Sequence, residues 1–473
     1  MKKLIIIAGA GKTGSVLAKE LSRYLETKRR NEEMYASASE LVIFDEKKVT
    51  AGDTKEGFYL PEDRGYQKGE TAAMVLSAAY PRLSIESCEN LKEDKNLLSL
   101  LNSYYYSQSE IIICECSEGK AKEQILDQIM FLKERCTVTV LLPCQEGLYC
   151  KQFKENSRRV KAIREIRRLT PLATDCSGVK RRSAYTMLGA IISLLQEKKA
   201  PEWILWDSAD PLTYQDKKRG ELHSSLKEAS LPFAAKKADI ICIGAGGTGG
   251  NIVKEMIPLL LKNRGLTLTI VDGDRVEEKN LERQAFVAED ILSFKSRVLA
   301  DKIQKAYPAL KNRIHAVTDY IDTVDEMPET KHYPVLVGAV DNHRARQVFV
   351  RWFLMQRDAL WIDSANEFSY GEVVVSIRHR GKTVSPLRSD IFPEVLTDHS
   401  PSASEISCGA INKSSPQHQL TNLVAAGIVT EMLEEAFEKK RIQGGMIYFD
   451  ALDKKGVYAK RQPLYTKEVR AYA

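Results

Sequence analysis

Between residues 271 and 303 the sequence "VDGDRVEEKNLERQAFVAEDILSFKSRVLADKI" gathers polar groups that a plain dinucleotide site does not need. Asp272 ends an apolar run and is placed to accept the two hydroxyls of a ribose. Asp274 follows it, then Asn280, Arg283 and Gln284 in a loop, and Lys295 at the opening of the next helical pattern. Upstream lies a glycine loop, "IGAGGTGG", with Gly244, Gly246, Gly247 and Gly249. Downstream, "VGAVDNHRAR" puts Asp341 and Asn342 at the end of a buried strand pattern. Transfer of AMP from ATP to a carboxylate builds negative charge around phosphorus. It calls for cations near the phosphates, backbone N–H groups, and a carboxylate that holds Mg²⁺ against them. Arg283 and Lys295 supply the cations, Asp341 the metal ligand, and the glycine loop the N–H groups. Taken singly, each charged residue is as well explained by a surface ion pair; the ordered set is not.

The elements that must position these groups are strands and helices in alternation. "IICIGAGGTGGNIVKEM" (240–256) reads as strand, tight turn and helix, and "TLTIVDGDRV" as the next strand, ending at Asp272. The same pattern occurs earlier in "IIIAGAGKTGSVLAKEL" and "ELVIFDEKKV", which ends at Asp45. From those aspartates the halves run in step without a gap. Val49 answers Val276, Glu62-Asp63 answers Glu289-Asp290, Lys68 answers Lys295, and Tyr80-Pro81 answers Tyr307-Pro308. Further on, "IIICECSEGKAKEQ" tracks "VLVGAVDNHRARQV", which sets Ser117 opposite Asp341. A duplicated α/β domain accounts for this, each copy a mostly parallel sheet covered on both faces. The expected boundaries are 1–200 for the first domain, 201–236 for a polar, proline-broken linker, and 237–473 for the second.

The first glycine loop offers a false lead in Gly11-Lys12-Thr13. A P-loop requires a glycine five positions before its Gly-Lys-Ser/Thr, and that position is Ile6, inside the strand. Both loops instead carry Rossmann spacing, a signal shared by several nucleotide and methyl-donor sites.

Composition sets the class. The chain has 473 residues, 43% hydrophobic and 28% charged, enough for two or three soluble domains. No apolar run approaches the roughly 20 residues of a membrane span, and the opening "MKKLIIIAGAGKTG" has too short an apolar core for a signal peptide. These features read as a cytoplasmic protein. A net charge of +6 is small for this length and does not suggest nucleic-acid binding; the basic run 158–168 reads as a solvated helix face. Nine scattered cysteines include no C-x-x-C pair that would build a zinc site.

The order G-x-G-G-x-G, D-x-D, N-x-x-R-Q, a lysine, and a strand ending D-N resembles the ThiF/MoeB and ubiquitin-activating-enzyme family, closely over about 240–435 and in outline over the first half. The resemblance implies two tandem Rossmann-like ThiF-type domains in an α/β fold, paired as an intramolecular pseudo-dimer, with ATP and Mg²⁺ as cofactors. It implies adenylation of the C-terminal glycine in the tail of a ubiquitin-like protein. It also implies ribose contact by Asp272, phosphate contacts by Asn280, Arg283 and Lys295, and a metal-binding carboxylate in Asp341, with the glycines, Asp274 and Gln284 completing the nucleotide site. In "SEISCGAINKSSPQ" the match to the family's nucleophilic crossover-loop cysteine falls on Cys408; Cys176 sits at a comparable point of the first half. A thioester on Cys408 would then pass to a conjugating-enzyme-like protein; a sulfur-carrier substrate and an NAD-dependent oxidoreductase are the alternative readings. Further dimerisation of the whole chain is left open.

Departures from the family are equally plain. The arginine-bearing helix ahead of the glycine loop, the zinc-binding cysteine pairs and a full ubiquitin-fold domain have no match. In the first half Asn280 is answered by Asp53, Arg283 by Glu56 and Gln284 by Gly57. Acids at those places would repel the phosphates of ATP, so the first domain is expected to be inactive.

Overall fold

The computed structural model describes residues 3–31, 39–88, 110–117, 120–130, 137–144, 147–153, 156–169, 172, 177–196, 203–206, 214–215, 231–281, 284, 286–399, 417–453 and 456–463. The chain divides into one unit of residues 1–222 with 452–458 and another of 223–451 with 459–473.

In the first unit the apolar runs become strands, all but the edge strand buried on both faces, as a covered parallel sheet requires. They are β1 (Lys3–Ala8), β2 (Ser39–Phe44), β3 (Ser84–Cys88), β4 (Glu110–Glu115) and β5 (Thr137–Cys144). Their parallel order is β3-β2-β1-β4-β5. The sheet continues antiparallel through β6 (Gly147–Phe153) and β7 (Trp203–Trp206), so part of the stretch read as linker pairs with this sheet. Helices α1 (Lys12–Arg30), α2 (Lys68–Ala79), α3 (Lys120–Met130), α4 (Asn156–Arg167) and α5 (Ser177–Leu195) connect and cover the strands. On α4, Ala162, Ile163 and Ile166 are buried while Lys161 and Arg164 face solvent, the amphipathic division expected of a basic surface helix.

The second unit repeats the plan. Its strands are β8 (Ala238–Ile243), β9 (Leu266–Val271), β10 (Ile314–Val317), β11 (Tyr333–Gly338) and β12 (Ala359–Asn366). They lie parallel in the order β10-β9-β8-β11-β12. Antiparallel strands β13 (Tyr370–His379) and β14 (Gly445–Asp453) extend the sheet. Its principal helices are α6 (Gly247–Glu255), α7 (Ile257–Lys262), α8 (Lys295–Ala306), α9 (His343–Met355) and α10 (Gln419–Phe437). Helix α10 is buried from Leu420 to Phe437, its polar Asn422, Glu431, Glu434 and Glu435 included. Trp361 and Phe353 lie fully buried in the core. In both units the strand order reverses at the central pair, β1/β4 and β8/β11, and such a reversal opens a crevice at the carboxyl ends of the strands.

The ladders correct one correspondence. Ala8 lies opposite Glu115, and Ile243 opposite Gly338. The backbone N–H of Cys116 donates to Ala8, and that of Ala339 to Ile243. The counterpart of Asp341 is therefore Glu118 rather than Ser117; Glu118 lies outside the described residues.

Candidate functional site

The crevice of the second unit begins at Gly244, whose φ of +98° is a left-handed conformation that costs glycine little. A side chain there would place Cβ 2.4 Å from the Ala339 carbonyl oxygen, and one at Gly249 would sit 1.9 Å from the Gly244 oxygen. The turn can thus press strand against helix only with glycine at both places. No side chain caps the start of α6, so its first backbone N–H groups are available to an anion.

Asp272 stands at the end of β9 and stitches this turn to its own loop. One carboxylate oxygen accepts from the Ala245 N–H at 2.6 Å, the other from the Asp274 N–H at 2.8 Å. Burial raises its pKa to about 6, against the pull of Lys295 and the two N–H donors. Lys295, at the first turn of α8, is buried, and its ammonium lies 2.7 Å from the Asp274 carboxylate. Desolvation opposes its charge, but the carboxylates of Asp272 and Asp274 outweigh that and raise its pKa. Tyr320 donates its hydroxyl to the other Asp274 oxygen at 2.5 Å. Asp274 is thus the group that positions Lys295.

Asn280 is buried, and its side-chain oxygen accepts from the Glu277 N–H at 2.9 Å, closing a single helical turn. Its backbone carbonyl accepts from Gln284. The Gln284 side chain lies over the glycine loop: a Cβ at Gly246 would be 3.8 Å from its amide nitrogen. Among the described residues, the buried Gln284 side-chain oxygen has no donor, an arrangement suited to a ligand's N–H or hydroxyl. Asp341 is exposed immediately beyond β11, on the far side of the crevice. Asn342 is a helix cap, accepting from the Ala345 N–H at 2.8 Å at the start of α9. Arg283 and Cys408, like Cys176 of the first half, lie outside the described residues.

The fold also brings in residues that sequence patterns did not single out. The Thr248 hydroxyl, next to Gly247, is 2.9 Å from the Asn366 side-chain oxygen and 3.0 Å from that of Asn422. Asn366 donates to Asn422 at 2.8 Å. This cluster joins the glycine loop to the end of β12 and the first turn of α10. Beneath the Asp341 turn, Arg346 donates to the Val340 carbonyl at 2.6 Å and pairs with buried Asp363 at 3.0 Å. Arg388 reaches the same carboxylate at 3.1 Å and also pairs with Glu372. An asparagine at a strand end and an arginine inside an amphipathic helix carry no spacing signal of their own; only the fold shows what they support.

The first unit builds the corresponding crevice with its charges rearranged. Asp45 repeats Asp272, accepting from Ala10 at 2.8 Å and Lys47 at 2.9 Å. Asp53 repeats the Asn280 turn by accepting from the Thr50 N–H at 2.8 Å, but it also holds Lys68 at 2.7 Å. Lys68 therefore takes its counter-ion from position 53, whereas Lys295 takes its own from 274. Lys12, at the place of Gly247, pairs with Glu56 at 2.7 Å. The acids expected to repel phosphate are paired with lysines in place.

Residues 233–467 match the ThiF family. Among solved structures the chain is similar to PaaA, at 16% identity and a TM-score of 0.35 over 49% of this chain and 65% of that one. It is similar also to E. coli MccB, at 15% identity and a TM-score of 0.35 over the same shares in a complex with succinimide. A complex of E. coli MccB with AMPCPP and MccA gives 15% and 0.36 over 49% and 65%. The chain thus spans about 65% of the length of each of these three. No curated protein sequence matches it significantly. The second unit, which holds nearly all of these residues, thus matches the ThiF family, whose motif order its sequence follows.

Proposed function

We propose that the second unit adenylates the C-terminal glycine of a ubiquitin-like protein with ATP. The observation that carries this reading is the convergence at the β8/β11 switch point of an uncapped helix start, the Asp272–Lys295–Asp274 group and the unpartnered Gln284 oxygen. An NAD site needs the aspartate and the glycines but gives no work to a buried lysine held in position by the Asp274 carboxylate. In the reaction a carboxylate oxygen of the partner's tail attacks the α-phosphorus of ATP. The bond to the bridging oxygen breaks and pyrophosphate leaves, so the charge growing on phosphorus falls among cations and N–H donors. Lys295 and Arg283 supply the cations, and Asn280 and the glycine turn supply hydrogen bonds. Asp341 would be the residue to hold Mg²⁺. That ion would neutralise phosphate charge. The Cys408 thiolate then attacks the acyl carbon, AMP leaves, and the thioester is passed to a conjugating-enzyme-like protein.

ATP–pyrophosphate exchange in the presence of a ubiquitin-like protein tests this assignment. Exchange that depends on the partner's C-terminal glycine and falls about a hundred-fold or more in Asp341→Ala supports it. Unchanged exchange in that variant removes Asp341 from the metal role.

A further inference from the structure

The first unit retains a cavity of about 240 Å³ at the place where the second unit has its candidate nucleotide site. Gly11, Lys12, Asp45, Lys68, Glu115 and Lys122 are among the residues that line it. Three observations bear on what it holds. Helix α1 is 19 residues long and starts at Gly11 with no side-chain cap and no acid in its first turn, so its N–H groups face the cavity as an anion site. Among the acids at the cavity, Asp53 is paired with Lys68, Asp45 accepts the N–H groups of Ala10 and Lys47, and Glu46 is exposed to solvent, while nearby Glu56 is paired with Lys12. Finally, Glu115 is 1% exposed, and one of its carboxylate oxygens has no hydrogen-bond donor among the described residues. Its other oxygen accepts from the N–H and hydroxyl of Ser117. A buried acceptor left open is costly unless a ligand or solvent completes it.

We propose that this cavity binds a nucleoside monophosphate, with its phosphate on the α1 N-terminus beside Lys12 and a ligand hydroxyl or amine donating to Glu115. The volume lies just below the roughly 300–1,000 Å³ of typical small-molecule sites, which suits a mononucleotide better than a dinucleotide. The first unit is then a ligand-binding domain rather than an empty copy, and the pairing of its acids is what makes that compatible with phosphate. The proposal does not rest on the activity assigned to the second unit.

Equilibrium dialysis of the full chain with labelled AMP, and with inorganic phosphate as a second probe, tests it. Gly11→Glu fills the first cavity, since a Cβ there has no atom within 4 Å and the helix start tolerates an acid. Gly246→Glu does the same in the second unit, where the nearest atom is the Gln284 amide at 3.8 Å. The expected result is two AMP sites in the unaltered chain and one in each single variant, with Glu115→Gln weakening the first-unit site about tenfold for AMP and leaving phosphate binding unchanged. An AMP stoichiometry unchanged by Gly11→Glu overturns the proposal, as does phosphate binding as tightly as AMP in the Gly246→Glu chain. A stoichiometry unchanged by Gly246→Glu instead counts against the second-unit reading alone. Thermal denaturation of each variant confirms that the chain tested is folded.

Discussion

Replacing Asn280 by aspartate would install in the second unit the residue that the first unit carries at the same place. The fold should accept it, because Asp53 accepts the Thr50 N–H at 2.8 Å just as Asn280 accepts the Glu277 N–H at 2.9 Å. The electrostatic outcome differs. In the first unit the acid holds Lys68 at 2.7 Å. The carboxylate introduced by Asn280→Asp would likewise draw Lys295 away from its contact with Asp274 and add a negative charge beside the phosphates. A unit charge about 5 Å from a phosphate oxygen costs roughly 3 kcal/mol at an effective dielectric near 20. Partial neutralisation by Lys295 leaves about 1–3 kcal/mol, or roughly a 5- to 150-fold rise in Kd for ATP. Isothermal titration calorimetry with ATP measures this directly, and the melting temperature of the unliganded variant should stay close to that of the parent. Unchanged ATP affinity in Asn280→Asp would refute the view that charge at this turn decides which unit takes ATP.

Three further outcomes follow from the same geometry. Asn422→Ala should destabilise the second unit by about 1–3 kcal/mol, because Thr248 and Asn366 lose a shared buried partner; chemical denaturation checks it, and no loss would show the cluster to be incidental. Asp272 has its folded pKa raised to about 6 by burial. The fold therefore favours its neutral form, and its stabilising contribution at acid pH is lost as pH rises from the ordinary carboxylate range through about 6. Ribose binding needs the ionised form, so ATP affinity should increase as pH rises from about 5 to about 7, and this dependence should flatten in Asp272→Asn. A flat profile in the parent chain would remove Asp272 from ribose contact. For Cys408→Ala, a partner adduct sensitive to thiols should vanish on non-reducing gels while pyrophosphate exchange continues; a persisting adduct places the nucleophile elsewhere.

Much of this architecture was legible because its signals are local. Runs such as Ile5-Ile6-Ile7 and Ile240-Ile241 followed by glycine announce strand and turn, and both form parallel strands leading into glycine turns. The spacing of Asp272, Asn280 and Lys295 was readable for the same reason, since one loop and one helix start carry all three. What sequence order could not show is pairing across the fold. Glu56 and Asp53 read as repulsive acids until Lys12 and Lys68 are seen within 2.7 Å of them. Ser117 was set opposite Asp341 because neighbouring apolar patterns tolerate a one-residue slip; the ladder fixes that register through Ala8 and Ile243. Asn366, Asn422, Arg346 and Asp363 escape notice because the groups they contact are distant in the chain.

The bond formed at the second unit's crevice is what the proposed function stands on. Incubating the Cys408→Ala chain, in which the adenylate cannot pass to that cysteine, with ATP labelled at its α-phosphate and a ubiquitin-like protein should yield that protein carrying the label at its C-terminal carboxyl group. The label should be absent when the terminal glycine is deleted, and sharply reduced in Asn280→Asp. Hydride transfer to a nicotinamide cofactor with no label reaching the protein would contradict the account.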